Sequence, residues 1–271
     1  MDGLRPGTSE GIVQMRNGLR IKTNLQSLYG LKMYFFGVTN WELVAVIQAI
    51  LRPGDVFIDG GANIGEITLH AAKRVGPQGR VVAVEASPEI AQRLRENIEL
   101  NGLQNVEVVQ VALGRYDEKR KFHLARGEYS GASSLTMPGN YSGQSVVVDG
   151  MKIDSLVDRE RLERIDLIKL DLEGAEFEAM GGAARLLSHE GYRPIVLIEY
   201  HREISQRSGW DLQGLLRFFE EHEYALHYLT HSGYGEPIDP EAVLQATIHG
   251  TPALDLAAVP REKTGEKHLA A

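Results

Sequence analysis

Acidic side chains concentrate in the segment KLDLEGAEFE, residues 169–178. Asp171 and Glu173 come at the end of an apolar run that predicts a buried strand, and Glu199 and His201 end the next such run, IVLIEYH. Because the carboxyl ends of parallel strands meet at one edge of a sheet, where ligands bind, these side chains are expected to face a common crevice. Two chemistries fit: Asp171 and Glu199 bind Mg²⁺, which lowers the pKa of a substrate hydroxyl, or one of these groups takes a proton as general base.

Lys169 lies two residues before Asp171 and therefore on the same face of the predicted strand. A lysine inside a buried strand needs a partner. Two roles stay open: an ion pair with an acid such as Glu199, or contact with a substrate. Glu176 and Glu178 are interpreted as acids that favour a helix start. The catalytic candidates are Lys169, Asp171, Glu173, Glu199 and His201.

A glycine-rich turn follows an apolar strand in the segment DVFIDGGANIGE, residues 55–66. A dinucleotide-binding fingerprint that starts at Gly60 requires a second glycine at position 62, where backbone approaches a pyrophosphate, but this chain has Ala62. The Gly-Lys-Ser/Thr of a nucleoside-triphosphate loop is absent as well. The turn is therefore interpreted as a binding loop that is not built for phosphate.

Glu85 ends the second predicted strand, 20 residues after Gly65. A carboxylate at that place accepts two hydrogen bonds from a ribose diol. A ligand with a ribose and without a pyrophosphate fits S-adenosylmethionine, whose carboxylate would lie near the backbone N–H groups of the helix start. Asp59 is expected to hold its ammonium group, directly or through water.

Strands and helices alternate along most of the chain, which predicts a doubly wound, mostly parallel α/β sheet. The predicted strands are 56–59, 80–86, 105–113, 166–172, 193–201 and 224–230. Residues 115–150 break the alternation with two strand-like pieces around a Gly/Ser-rich tip, which predicts an inserted β-flap. Asn17-Gly18 predicts an N-terminal hairpin, and Asn40 is expected to cap a helix. The aromatic run 34–36 is expected to pack internally.

The runs DVFIDGGANIGEITLHAA, VVAVEASPE, IDLIKLDLEGAEFEAMGGA and VLIEYH resemble the FkbM-type family of S-adenosylmethionine-dependent class I methyltransferases, over about residues 40–201. The resemblance implies a seven-stranded Rossmann-like sheet and O-methylation of a hydroxyl on a small molecule, saccharide or natural product. It also implies that Ser133 and Ser134 of the flap close over the site. The implied cofactor residues are Asp59, Gly61, Asn63, Gly65, Glu85, Ala86, Ala112 and Leu113.

Three units are expected: an N-terminal hairpin and helix extension (1–51), a methyltransferase core (52–230) and a C-terminal extension with a disordered tail (231–271). The formal charge of −8 argues against nucleic-acid and membrane partners. The lack of cysteine and of a long apolar span fits a cytoplasmic protein. A homodimer through the N-terminal hairpin stays open, as do two other functions: a nicotinamide-dependent oxidoreductase and a non-catalytic binding protein.

Overall fold

A computed structural model describes residues 9–125, 135, 141–189, 191–230, 232–238 and 253–263. The predicted flap contacts of Ser133 and Ser134, and the last eight residues of the predicted disordered tail, lie outside these ranges.

The N-terminal extension is a hairpin followed by two helices. Strands β1 (Glu10–Gln14) and β2 (Arg20–Asn24) pair antiparallel, as the Asn17-Gly18 turn predicts. Helix α1 (Leu28–Phe36) begins at Ser27, whose hydroxyl oxygen accepts a hydrogen bond from the Gly30 N–H at 2.9 Å. Helix α2 (Trp41–Ile50) begins at Asn40, whose Oδ1 accepts from the Leu43 N–H at 3.1 Å. The predicted hairpin and helix extension is confirmed.

The aromatic run at the end of α1 is exposed, which corrects the expectation of internal packing. Phe35 is 70% exposed and Phe36 is 59% exposed. Only Gly30 and Met33 of α1 are buried. Six of the ten exposed large apolar residues among those described lie between Leu28 and Trp41, so α1 and the start of α2 carry a concentrated apolar surface.

The core alternates strands and helices as predicted. The first half contains β3 (Val56–Gly60), α3 (Glu66–Val75), β4 (Arg80–Val84), α4 (Pro88–Leu100) and β5 (Val106–Val109). A separate three-stranded flap sheet contains β6 (Ala112–Leu113), which precedes the flap, and the flap strands β7 (Lys119–Ala125) and β8 (Tyr141–Met151). The second half contains α5 (Ile153–Arg159), β9 (Leu167–Leu170), α6 (Glu176–Gly181), α7 (Ala184–Leu187), β10 (Ile195–His201), α8 (Arg202–Arg207), α9 (Leu212–Glu221) and β11 (Tyr224–Thr230). The last described elements are β12 (Gly233–Pro237), β13 (Ala253–Pro260) and a 3₁₀ turn (Arg261–Lys263).

The main sheet has the strand order β12-β11-β13-β10-β9-β3-β4-β5. The five strands from β10 to β5 run parallel, which confirms the mostly parallel Rossmann-like fold. Helices α2 and α3 pack on one face of the sheet, and α5, α7 and α9 pack on the other. The described sheet has eight strands, one more than the implied seven, because β12 pairs with β11 at one edge.

Strand β13 lies inside the segment that the sequence assigned to a C-terminal extension and disordered tail. It pairs antiparallel with both β10 and β11, so the sheet extends beyond the predicted core boundary at residue 230. The segment ALDLAAVP is mostly apolar because its strand is enclosed between two others and covered on both faces. It therefore lacks the alternation that marks a half-buried strand.

Two predicted elements are broken in the structure. The predicted helix 174–190 forms α6 and α7, which are separated at Gly182, where an ideal Cβ would lie 2.2 Å from the Gly114 carbonyl oxygen. The predicted strand 105–113 forms β5 in the main sheet and β6, which instead pairs with β8 of the flap sheet. Both breaks occur where the chain meets the flap.

Among the described residues, no single helix is long and apolar enough to cross a membrane. The bent pair of α1 and α2, at 62° to each other, passes such a test by length and composition only.

Candidate functional site

A cavity of about 270 Å³ lies at the carboxyl ends of β3, β4 and β9. Six of the eight predicted cofactor residues line it: Gly61, Asn63, Glu85, Ala86, Ala112 and Leu113. Three of the five catalytic candidates also line it: Lys169, Asp171 and Glu173. Most of the predicted site residues therefore line one continuous cavity, whose remaining walls come from the N-terminal extension and the flap.

The glycine loop packs directly against the end of β9. Gly61 has a φ of +74°, and an ideal Cβ on it would lie 1.9 Å from the Asp171 carbonyl oxygen. The N–H groups of Gly61 and Ala62 both donate to the Val84 carbonyl oxygen at 3.0 Å. Asn63, at a φ of +50°, completes the turn. Only glycine fits at position 61, because both the φ angle and the close strand exclude a side chain.

The carboxylate of Glu85 is fixed at the edge of the cavity by two backbone donors. Its Oε2 accepts from the Asn63 N–H at 3.0 Å, and its Oε1 accepts from the Ser87 N–H at 2.8 Å. Burial raises the pKa of Glu85, and these two hydrogen bonds oppose that rise. Each oxygen keeps a second lone pair with which to accept from a ligand.

Two predicted cofactor residues, Asp59 and Gly65, are not among the residues that line the cavity. Asp59 is fully buried: Thr68 Oγ1 donates to its Oδ2 at 2.6 Å, and Lys169 Nζ lies 3.3 Å from its Oδ1. Gly65 has a φ of +102°, and an ideal Cβ there would lie 2.6 Å from Leu94 Cδ1. Asp59 thus contacts Lys169, which lines the cavity, and Gly65 allows close packing of α3 on α4.

Lys169 lies on the buried strand β9, and its side chain lines the cavity. It is 4% exposed, its Nζ lies 3.5 Å from Asp171 Oδ2, and it donates to the Gly61 carbonyl oxygen at 3.0 Å. Burial lowers the pKa of this ammonium, but the charges of Asp59 and Asp171 outweigh that effect and raise it above its usual value. Lys169 therefore forms ion pairs with two acids, Asp59 and Asp171, and Glu199 was named from the sequence only as an example of such a partner.

The turn after β9 presents Asp171 and Glu173, and a buried glutamate holds it. Glu176 Oε1 accepts from the N–H groups of Leu172 at 2.7 Å and of Gly174 at 3.1 Å. Glu173 itself has a φ of +53°. Burial, followed by the charges of Asp171 and Glu176, raises the pKa of Glu173 to about 7. The interpretation of Glu176 as a helix-start acid missed its role in shaping this turn.

Glu199 lies apart from the main cavity. It lines a smaller cavity of about 30 Å³ together with Asp171 and Asp255, and its Cα is paired with that of Asp255 across β10 and β13. Burial and the charges of Asp171 and Asp255 raise the pKa of Glu199 well above its usual range. Sequence reasoning missed Asp255 because it missed β13. His201, at the end of β10, lines neither cavity.

The predicted Mg²⁺ site at Asp171 and Glu199 has no support. Within the described parts of the chain, no group of three or more His, Cys, Asp or Glu side chains is arranged to hold a metal ion. Lys169 already pairs with Asp171, and its ammonium would repel a cation placed there.

The N-terminal extension forms one wall of the main cavity, and Glu66 at the start of α3 holds it there by hydrogen bonds. Sequence reasoning did not single out Glu66. Glu66 Oε1 accepts from the N–H groups of Thr39 at 2.6 Å and of Asn40 at 3.4 Å. Its Oε2 accepts from the hydroxyls of Thr39 and Tyr29. Tyr29, Thr39 and Asn40 all line the cavity, so the extension covers the site. The sequence signal that was available is an acid directly after Gly65.

Comparison with known proteins relates this chain to a family of methyltransferases. A model of the methyltransferase FkbM domain matches residues 59–226. Methyltransferase 1 of Beauveria bassiana is 31% identical over 157 residues, which cover 48% of this chain and 59% of that protein. The 2-O-methyltransferase NoeI of Sinorhizobium fredii is 24% identical over 156 residues, which cover 53% of this chain and 63% of that protein. The AMB antimetabolite synthetase AmbE of Pseudomonas aeruginosa is 29% identical over 167 residues, which cover 49% of this chain and 8% of that protein.

Each of these alignments spans less than two thirds of the relative. Among solved structures, the precorrin-6y C5,15-methyltransferase of Geobacter metallireducens aligns at a TM-score of 0.44 with 15% identity, over 81% of this chain and 87% of that one. Because the family model covers more than half of the sequence, this chain belongs to the FkbM methyltransferase family.

Proposed function

We propose that the protein transfers a methyl group from S-adenosylmethionine to a hydroxyl of a small-molecule acceptor, with saccharides and other natural products as the expected class. The observation that carries the proposal is the Glu85 carboxylate, held by Asn63 and Ser87 at the end of β4 beside a glycine loop. A fixed carboxylate at this strand end suits a ribose diol.

The rest of the cavity also suits S-adenosylmethionine. Ala112 and Leu113, with Phe122 and Leu135 of the flap region, form an apolar wall for a purine ring. The backbone at Gly61 lies at the cavity surface beside Lys169 and offers polar contacts for the amino-acid part. When bound, the cofactor supplies a methyl group that its sulfonium already activates.

The chain must then align the acceptor oxygen with that methyl group and remove the proton of the acceptor hydroxyl. Glu173 is the preferred base because it lines the cavity and its pKa is raised to about 7, so that much of it is deprotonated at neutral pH. General-base catalysis of this kind contributes roughly 10²–10⁴-fold. Asp171, held by Lys169, is assigned to orienting the acceptor hydroxyl. The relative NoeI is a 2-O-methyltransferase, which supports oxygen as the acceptor atom.

A thermal-shift titration with S-adenosylhomocysteine tests the cofactor. A ligand that binds only the folded state stabilises it by RT ln(1 + [L]/Kd), about 2.7 kcal/mol at a hundredfold excess over Kd. The expected result is a rise in Tm with S-adenosylhomocysteine, no rise with NAD, and loss of the rise in Glu85→Ala. Glu89→Ala, which changes an exposed acid on α4, serves as the matched control and keeps the shift. No shift with S-adenosylhomocysteine would refute the proposal, and a shift with NAD alone would favour the oxidoreductase alternative.

A further inference from the structure

A second concave surface lies between the end of α1 and the start of α2. This groove encloses about 410 Å³ and is lined by Arg16, Lys32, Phe36, Val38, Thr39 and Trp41. Its two aromatic walls are open to solvent, since Phe36 is 59% exposed and Trp41 is 53% exposed. Apolar surface of this extent, gathered in one place, is characteristic of a binding site.

The charged residues of the groove are both cations. Arg16 Nε donates to the Phe36 carbonyl oxygen at 2.9 Å, which fixes the guanidinium beside the aromatic wall. Neither Arg16 nor Lys32 forms an ion pair with any residue that the structure describes. In a chain of formal charge −8, this local excess of positive charge complements an anion.

The groove adjoins the main cavity. Thr39 lines both the groove and the main cavity. The backbone N–H and the hydroxyl of Thr39 donate hydrogen bonds to the Glu66 carboxylate. The next residue, Asn40, lines the main cavity and also the small cavity that contains Asp171. The groove and the main cavity are therefore neighbours that share Thr39 as a wall.

We propose that this groove binds the methyl acceptor itself, and that the acceptor is an apolar molecule with an anionic group. Phe36 and Trp41 contact its apolar part, Arg16 and Lys32 contact its anionic group, and its hydroxyl extends past Thr39 toward Glu173. The proposal rests on the proposed function and narrows the acceptor class from small molecules in general to amphiphilic anions.

Two other occupants would use a different set of residues. A second copy of the chain, or a lipid surface, would cover the whole apolar face of α1, which includes Leu28 and Phe35 as well as Phe36. Phe35 is 70% exposed but does not line the groove. Phe35→Ala is therefore a matched control for Phe36→Ala, since the two variants remove the same side chain from adjacent positions.

The test uses two fluorescent probes, 8-anilinonaphthalene-1-sulfonate and its neutral counterpart N-phenyl-1-naphthylamine. Both are titrated into the full chain at saturating S-adenosylhomocysteine, which keeps them out of the cofactor cavity. Phe36→Ala is expected to weaken binding of the sulfonate by about tenfold or more, because the apolar contact between the probe and the phenyl ring is lost. Lys32→Gln is expected to weaken it by roughly fivefold and to leave the neutral probe unaffected. Phe35→Ala and the charge control Lys121→Gln are expected to bind as the unaltered chain does.

Equal weakening by Phe35→Ala and Phe36→Ala would overturn the proposal in favour of a broad apolar contact. A dimer in sedimentation velocity that Phe36→Ala dissociates would overturn it in favour of a second copy. Co-sedimentation with phosphatidylcholine vesicles that Phe35→Ala abolishes would overturn it in favour of a lipid surface. The S-adenosylhomocysteine thermal shift of the unaltered chain is read separately. If this thermal shift is absent, the proposed function is refuted. If the shift is present but Phe36→Ala and Lys32→Gln bind both probes as the unaltered chain does, only the groove proposal is refuted.

Discussion

The ammonium nitrogen of Lys169 lies 3.3 Å from Oδ1 of Asp59, and both side chains are buried on adjacent parallel strands. This pair connects the interior of the sheet to the cavity, because the same ammonium also binds the Gly61 carbonyl oxygen and Asp171. The buried charges of the site are therefore interdependent.

Removing Lys169 should be strongly destabilising. Lys169→Met leaves the carboxylate of Asp59 buried without its countercharge, which costs about 3–5 kcal/mol. The double variant Asp59→Asn with Lys169→Met should recover much of that loss, because no buried charge then stays uncompensated. Urea unfolding of both variants measures the difference, with Lys121→Met on the exposed side of β7 as control. If the double variant is no more stable than Lys169→Met, the two charges are not coupled.

Gly61 and Gly76 provide a matched pair for the glycine loop. Both have a similar φ, +74° and +68°, but an ideal Cβ on Gly76 has no atom within 4 Å. Gly76→Ala should cost about 1–3 kcal/mol for backbone strain alone, because a φ of +68° with a ψ of −175° is essentially restricted to glycine. Gly61→Ala adds a collision with the Asp171 carbonyl oxygen at 1.9 Å, and such overpacking costs about 1–3 kcal/mol more. Gly61→Ala should also weaken S-adenosylhomocysteine binding in calorimetry, whereas Gly76→Ala should not. Equal effects of the two substitutions would contradict the close approach.

Glu66 should control the order of the N-terminal extension. Glu66→Ala deprives Tyr29, Thr39 and Asn40 of their common acceptor and should cost about 1–3 kcal/mol. Hydrogen–deuterium exchange at the amides of Thr39 and Asn40 should become faster. Glu89→Ala, at the start of α4, removes an exposed acid and should change neither quantity. Unchanged exchange in Glu66→Ala would show that other contacts hold the extension.

The buried acid Glu176 predicts a specific dependence of stability on pH. Burial raises its pKa from 4.5 to about 7, so the folded state keeps a proton that the unfolded state releases. Its contribution to the free energy of unfolding is therefore largest below pH 4.5, falls as the pH rises to about 7, and is constant above that. Glu173, whose pKa is also raised to about 7, contributes with the same sign.

Glu176→Gln should flatten this part of the stability curve, because the amide oxygen still accepts from Leu172 and Gly174 but no longer titrates. Urea unfolding at several pH values measures the slope. Glu178→Gln, a partly exposed neighbour that pairs with Arg115, should leave the slope as it is. Identical curves for the two variants would rule out Glu176 as the source.

The sequence by itself determined the alternating core, the glycine loop, Glu85 at the end of β4 and the acids after β9. These features depend on periodicity and turn residues within short windows of chain, where local rules apply. The family resemblance rests on the same local segments. The exposed aromatic residues of α1 were misjudged because exposure depends on what packs against a helix, which a local pattern does not contain.

Only the tertiary structure decided which groups meet. Glu66 and Thr39 are 27 residues apart, and Lys169 and Gly61 are 108 residues apart. Asp255 reaches Glu199 because β13 enters the sheet between β10 and β11. A strand enclosed in this way loses its alternation, so its sequence carries no mark of its neighbours. Pairings of this kind depend on how the whole sheet is assembled, and for that reason they are absent from any short stretch of residues.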